Sequence, residues 1–172
     1  MKFFYIAILI VFFSTSSFGQ KAGYEHYKNV PPPHFSNSKK EKKFRINGLM
    51  VSPENRYIVV DYGRRGSMLA VFSYPNFEVV STQRFDKAVE LSQSYFHAGD
   101  SLLYIKTDRY APDYTMLRIH DNRPMKVPCE RTPKGCPSDA AGLAKIRTYS
   151  ADMKFLFQRA DDKITLEVFQ KQ

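Results

Sequence analysis

Residues 51–60 read Val-Ser-Pro-Glu-Asn-Arg-Tyr-Ile-Val-Val, a polar turn that leads into a run of β-branched and aromatic residues. Such a run is typical of a strand, and a second apolar run, Leu69-Ala70-Val71-Phe72, follows after a segment that contains Gly63 and Gly66. Because glycine marks chain reversals between strands, the two runs are predicted to pair as an antiparallel hairpin.

The same pattern occurs twice more along the chain. Residues 102–105 and 116–119 are predicted to pair as a second hairpin, and residues 155–157 and 164–169 as a third. Helical periodicity is weak outside the N-terminal segment. The sequence therefore predicts an all-β, antiparallel domain over residues 44–172, built from about three hairpin units.

The turns that enter these hairpins are similar to one another. Residues 51–58 align with residues 149–156, where an apolar residue precedes a serine and a polar turn leads into a strand. Residues 96–103 keep the turn and the strand without the Ser-Pro pair, so the period is about 45 to 53 residues. This spacing is within the range of β-propeller blades.

Residues 52–59 resemble the Ser-Pro-Asp-Gly-Lys/Arg turn and following strand of TolB-type β-propeller blades, clearly in the first unit and in degraded form in the next two. The resemblance implies an exported scaffold used mostly for protein contacts. Because closed propellers have at least four blades, three units predict a propeller fragment that is completed by oligomerisation, or instead a sandwich or small barrel. In a third arrangement, Phe44-Arg45-Ile46 returns as the missing strand of the last unit. A single compact domain is the favoured prediction.

Residues 1–19 have the features of a secretory signal peptide. Lys2 precedes an apolar run over residues 3–13, and Ser17 and Gly19 are the small residues that a signal peptidase prefers. The run is about half the length of roughly 20 residues that a membrane-spanning helix needs. The protein is therefore predicted to be exported, to the periplasm or the medium, with no stable membrane span after cleavage.

Residues 20–43 are predicted to form a flexible arm, because three consecutive prolines at positions 31–33 favour an extended chain. The whole chain carries 26 Lys and Arg against 17 Asp and Glu, a formal net charge of +9. An excess of positive charge favours acidic partners. A possible contact with an anionic polymer is assigned to Lys39, Lys40, Lys42 and Lys43 in this arm.

The two cysteines, Cys129 and Cys136, are separated by Glu-Arg-Thr-Pro-Lys-Gly. In an exported chain, such a pair favours a structural disulfide. Two thiolates alone would supply half of a zinc site, and no histidine or acid with zinc-finger spacing completes it. No metal ion or cofactor is predicted.

One hairpin loop is rich in tyrosine and arginine, the residue types that are enriched where protein interfaces bind. We predict a contact surface around it, formed by Tyr104, Arg109, Tyr110, Tyr114 and Arg118.

Catalytic motifs are absent from the sequence, which has no nucleophile elbow, zinc-protease motif or phosphate-binding glycine loop. An acid–base pair of His97 and His120 on neighbouring strands is the remaining catalytic possibility. The leading hypothesis is an exported, non-enzymatic protein-binding module whose partner is another exported or envelope protein. The alternatives are a small secreted cationic hydrolase, nuclease-like, that uses His97 and His120, and a periplasmic inhibitor of the immunity type.

Overall fold

The structure, a computed structural model, describes residues 23–34, 44–63, 67–107, 113–121, 123–136 and 145–172. Within these residues the chain forms twelve β-strands: β1 (Tyr24–Val30), β2 (Ile46–Val51), β3 (Tyr57–Tyr62), β4 (Ser67–Ser73), β5 (Val79–Phe85), β6 (Tyr95–His97), β7 (Leu102–Lys106), β8 (Tyr114–Arg118), β9 (Pro124–Val127), β10 (Arg147–Tyr149), β11 (Phe155–Arg159) and β12 (Leu166–Lys171). The described residues also contain two 3-10 turns between strands, Leu91–Gln93 and Cys129–Arg131. In these ranges, no helix has the length and apolar character needed to cross a membrane.

The strands form three four-stranded antiparallel sheets. Sheet 1 has the order β2-β3-β4-β5, sheet 2 has the order β6-β7-β8-β9, and sheet 3 has the order β10-β11-β12-β1. All three predicted hairpins are present, as the β3–β4, β7–β8 and β11–β12 pairs. The prediction of an all-β, antiparallel fold is confirmed.

Strand β1 supplies the fourth strand of sheet 3, although the sequence predicted a flexible arm there. It pairs with β12 from Tyr24 opposite Lys171 to Val30 opposite Leu166, and the Val30 side chain is buried. The flexible arm over residues 20–43 is thus wrong for Tyr24–Val30, because these residues satisfy the backbone groups of β12 that would otherwise form an open edge. The signal peptide at 1–19 and the lysines of the arm, Lys39, Lys40, Lys42 and Lys43, lie outside the described residues.

The suggestion that Phe44-Arg45-Ile46 completes the last unit is wrong. Ile46 begins β2 and lies opposite Tyr62 in sheet 1. Its side chain is fully buried, and its N–H donates to the carbonyl of Lys163 at 2.7 Å. Ile46 therefore belongs to a strand of sheet 1, and its backbone bonds to the turn between β11 and β12 of sheet 3.

Two apolar layers hold the sheets face to face in the order 3-1-2. Strand β3 lies at the centre, and all six of its residues are buried. Its alternate side chains point to opposite faces, as the pleat of a strand requires. Ile58 and Val60 pack with Phe157 and Val168 of sheet 3, whereas Val59 packs on the other face with Leu103, Ile105 and Leu117 of sheet 2.

The first and third of the aligned turns have the same hydrogen-bond pattern. The buried Ser52 hydroxyl accepts the backbone N–H of Tyr57 at 2.9 Å, and the buried Ser150 hydroxyl accepts that of Phe155 at 2.9 Å. In each case the serine N–H also donates to the carbonyl of the same partner residue at 2.9 Å. The serine at this position therefore closes the turn and fixes where the next strand starts.

The three aligned turns also share a left-handed backbone conformation, at the fourth residue after the apolar residue that opens each turn. Asn55, Asp100 and Met153 occupy this position in the three turns, with φ of 56°, 62° and 58°. Left-handed backbone is disfavoured for residues with a Cβ, and Asn and Asp tolerate it best. Two of these side chains also join neighbouring units: Asn55 accepts the N–H of Ala151 at 2.7 Å, and Asp100 accepts that of Glu54 at 3.0 Å.

Replacement of Asn55 tests this link between the turns. Asn55→Ala and Asn55→Gly both remove the hydrogen bond to Ala151, but only glycine adopts a φ of 56° without strain. We expect both variants to be less stable than the wild type, and Asn55→Ala to be less stable than Asn55→Gly by roughly 1 kcal/mol. Urea unfolding measures this difference. Equal stability of the two variants would contradict a left-handed residue at this position.

Candidate functional site: the outer face of sheet 2

The face of sheet 2 that points away from sheet 1 carries a cluster of three tyrosines. Tyr95, Tyr104 and Tyr114 come from β6, β7 and β8, and we call them the tyrosine cluster. The rings of Tyr95 and Tyr104 are stacked at 5.0 Å between centroids, and Tyr114 meets Tyr95 edge-on at 5.6 Å. Burial raises the pKa of Tyr104 and that of Tyr114, so both hydroxyls stay neutral at physiological pH.

Three of the five predicted contact residues lie on this face. Tyr104 and Tyr114 are only 6% and 3% exposed, so they form the base of the surface. Arg118 is exposed at the end of β8. The other two, Arg109 and Tyr110, lie outside the described residues.

Tyr95 is a member of the cluster that the sequence prediction of the contact surface left out. It lies directly opposite Tyr104 in the β6–β7 pair, so the two side chains are on the same face of the sheet. Phe96 packs toward sheet 1, so its neighbours Tyr95 and His97 point to the outer face. This period-two alternation is the sequence signal that could have identified Tyr95 as part of the surface.

The segment from Cys129 to Cys136 folds over the tyrosine cluster. The predicted disulfide between the two cysteines is confirmed, and Cys129 is fully buried within the cluster. The Lys134 ammonium lies 4.5 Å from the centroid of the Tyr95 ring, a cation–π distance. Since the sulfurs of Cys129 and Cys136 are bonded to each other, they are not thiolate ligands, and their proximity to Glu130 does not make a metal site.

Apolar side chains form the accessible part of this face. Met125 lies opposite Met116 in the β8–β9 pair and is 53% exposed. Leu102 and Met116 pack against the tyrosine cluster and are partly buried. The surface is therefore apolar and aromatic, with the cationic Lys134 and Arg118 on it.

A shallow depression of about 520 Å³ adjoins the same face, lined by Ser101, Leu102, Arg118, Ile119, His120 and Asp121. The His120 Nε2 atom lies 2.9 Å from the hydroxyl of Tyr57, which belongs to sheet 1. Asp121 forms a 3.8 Å ion pair with Arg123. The depression therefore lies where sheet 2 meets sheet 1.

The two histidines of the hydrolase hypothesis have different surroundings. His120 lines the depression and contacts Tyr57, whereas His97 is exposed on β6 with its ring centroid 6.3 Å from that of Tyr104. His97 does not line the depression. No hydrogen bond joins either ring to a carboxylate in the described residues, and the group that orients His120 is the Tyr57 hydroxyl.

One buried acid, Asp61, was not singled out from the sequence. It lies on β3 on the face toward sheet 2 and is 4% exposed. It interacts with the side chains of Ser67 and Asn47, and the Ser67 hydroxyl accepts the N–H of Val89 at 2.9 Å. Burial, with a smaller contribution from Glu90, raises the pKa of Asp61 to about 7.

The titration of Asp61 predicts a dependence of stability on pH. The folded state holds this proton up to about pH 7, whereas the unfolded state releases it near pH 3.8. The contribution of Asp61 to the free energy of unfolding is therefore fully present below pH 3.8, and it is lost as the pH rises to about 7. Relative to wild type, Asp61→Asn should gain stability across this window by up to about 1.4 kcal/mol per pH unit.

Urea unfolding at several pH values measures the gain. Asp152→Asn is the matched control, because the Ser150 hydroxyl lowers the pKa of Asp152 and its titration lies below this window. A constant difference between Asp61→Asn and wild type from pH 4 to 7 would contradict the raised pKa.

Removal of the disulfide tests how strongly it holds the segment over the tyrosine cluster. Cys136 is exposed, so Cys136→Ser removes the cross-link and leaves no cavity. We expect a loss of about 2–3 kcal/mol, from the chain entropy released in the unfolded state. Thermal unfolding measures this loss, and wild type with the disulfide reduced should match the variant. An unchanged melting temperature in both would show that packing alone holds the segment.

Two comparisons with known proteins gave no match for this chain. No protein-family model matches it, and no curated protein matches it significantly.

Proposed function

We propose that this chain is an exported, non-enzymatic protein-binding module, and that the outer face of sheet 2 is its contact surface. Export is supported by the signal-like sequence of residues 1–19 and agrees with the disulfide between Cys129 and Cys136. The partner is another exported or envelope protein.

The observation that carries the proposal is the difference between the faces of the sheets. Both faces of sheet 1 are covered, by sheet 3 on one side and by sheet 2 on the other. The tyrosine cluster of sheet 2 has no facing sheet within the described residues; the Cys129–Cys136 segment lies over it, and Met125 on the same face is 53% exposed. Exposed methionine and arginine side chains over an aromatic base, here Met125 and Arg118 over the tyrosine cluster, are of the residue types enriched at protein interfaces.

We further propose that the three sheets are blades of a propeller fragment of the TolB type. Three four-stranded antiparallel sheets packed face to face, with equivalent residues at positive φ in the turns, support this interpretation. Because propellers close with four to eight blades, three blades leave the outer faces of the stack available for contacts. A sandwich with regularly spaced hairpins is the alternative description.

A pull-down tests the proposed function. The full chain, tagged at its C-terminus, is incubated with envelope and medium fractions of the producing cell, and bound proteins are identified by mass spectrometry. We expect one stoichiometric protein that stays bound at moderate salt. A toxin-like partner would assign the chain to the immunity-type inhibitors. No stoichiometric protein, or polyanions that salt removes, would contradict the proposal.

Two matched variants locate the contact surface. Met125→Asp places a charge on the outer face of sheet 2, at a side chain that is 53% exposed. Val79→Asp is the control: it places a charge on β5 of sheet 1, away from that face, at a side chain that is 49% exposed. We expect Met125→Asp to lower capture about tenfold, the effect of about 1.4 kcal/mol, and Val79→Asp to leave it unchanged. Equal capture by both variants would place the interface elsewhere.

A further inference from the structure

We propose that the partner binds through an acidic segment, and that one of its carboxylates enters the depression beside Arg118 and His120. This inference rests on the proposed function, because it specifies the chemistry that the outer face of sheet 2 recognises. The argument depends on the position of the depression, on the ion pairs around it and on the charges of the face.

The depression is continuous with the contact surface. Leu102 and Arg118 lie directly opposite each other in the β7–β8 pair, and both line the depression. Opposed residues of an antiparallel pair share a face, and Leu102 also packs against the tyrosine cluster. A segment that lies on Leu102 and Met116 therefore reaches the depression without leaving the sheet.

Arg118 is the cation that is available in the depression. Its side chain is exposed and forms no ion pair with the described residues. The nearby acid, Asp121, is paired with Arg123 at 3.8 Å, so its charge is partly compensated. A guanidinium group presents two parallel N–H donors, a geometry that matches a carboxylate.

The other polar groups of the depression already have partners. The Ser101 hydroxyl donates to the carbonyl of Ala98 at 2.6 Å, and His120 contacts the hydroxyl of Tyr57. These bonds hold the two side chains at the sides of the depression. Arg118 therefore supplies the main attraction for an anion there.

The charges on the face argue for an acidic partner and against a second copy of this chain. Lys134 and Arg118 are both exposed on the outer face, and the acid of the covering segment is Glu130. Two copies packed through this face would bring these cations near each other, which costs free energy. An acidic segment of a different protein pairs with them, and the net charge of +9 also favours its approach.

Nuclear magnetic resonance with a defined probe tests this inference. The isotope-labelled full chain is titrated with the acetylated, amidated peptide Asp-Leu-Glu-Phe-Asp and, separately, with its Asn-Leu-Gln-Phe-Asn counterpart. We expect the acidic peptide to shift the amide signals of residues 101–102 and 117–121. The uncharged peptide should bind up to about fivefold more weakly, the upper end of the effect of losing one solvent-accessible ion pair.

Two arginine variants separate the depression from general charge. Arg118→Gln should weaken binding of the acidic peptide by up to about fivefold, whereas Arg147→Gln removes the same charge from β10 of sheet 3, away from the depression, and should not. Both side chains are exposed, so the fold is expected to survive either change. Equal effects of the two variants would overturn the proposal.

Three further results would also overturn it: equal binding of both peptides, shifts confined to other residues, or shifts that depend only on protein concentration, which would indicate self-association. Failure of this inference is distinguishable from failure of the proposed function. If the pull-down captures a stoichiometric protein equally well with Arg118→Gln, the binding module stands and the acidic segment is wrong. If no protein is captured, the proposed function itself is wrong.

Discussion

The burial of strand β3 on both faces is the constraint on which the other packing depends. All of its side chains except Asp61 lie in one of the two apolar layers, so one strand holds sheet 3 and sheet 2 against sheet 1. If the pairing of β3 shifted by one residue, the side chains of each layer would move to the opposite face of the sheet, because successive side chains point to opposite faces. The Ser52 hydroxyl, which accepts the N–H of Tyr57, sets that register at the first residue of the strand.

Hydrogen bonds between the turns fix the positions of the three sheets relative to one another at one end of the stack. Asn55 bonds to the turn of sheet 3, and the turn of sheet 2 bonds back to Glu54 through Asp100. Both side chains come from the position with positive φ, where Asn and Asp are tolerated better than most residues. The same residues therefore shape each turn and connect it to the next unit.

The sequence was informative where structure depends on buried side chains. Hairpins with apolar runs and glycine or polar turns were predictable because β3, β7 and β11 fill the apolar layers. Strand β1 was not, since it reads Tyr-Glu-His-Tyr-Lys-Asn-Val and buries only Val30. Its pairing depends on backbone hydrogen bonds to β12, which leave no hydrophobic period to detect. Asp61 was missed for a related reason, because its tolerance in a buried strand depends on Ser67 and Asn47, which approach it only in the fold.

The choice of aromatic residue differs between the closed layers and the outer face. The layer between sheets 3 and 1 combines phenylalanines such as Phe155 and Phe157 with Tyr62, whereas in the described residues the aromatic members of the cluster on the outer face of sheet 2 are all tyrosines. A tyrosine has an apolar ring and a hydroxyl that favours contact with water or with a polar partner. The use of tyrosine where a facing sheet is absent from the described residues therefore favours a surface that meets a partner, with the apolar rings as its base and Arg118 and Lys134 as its cations.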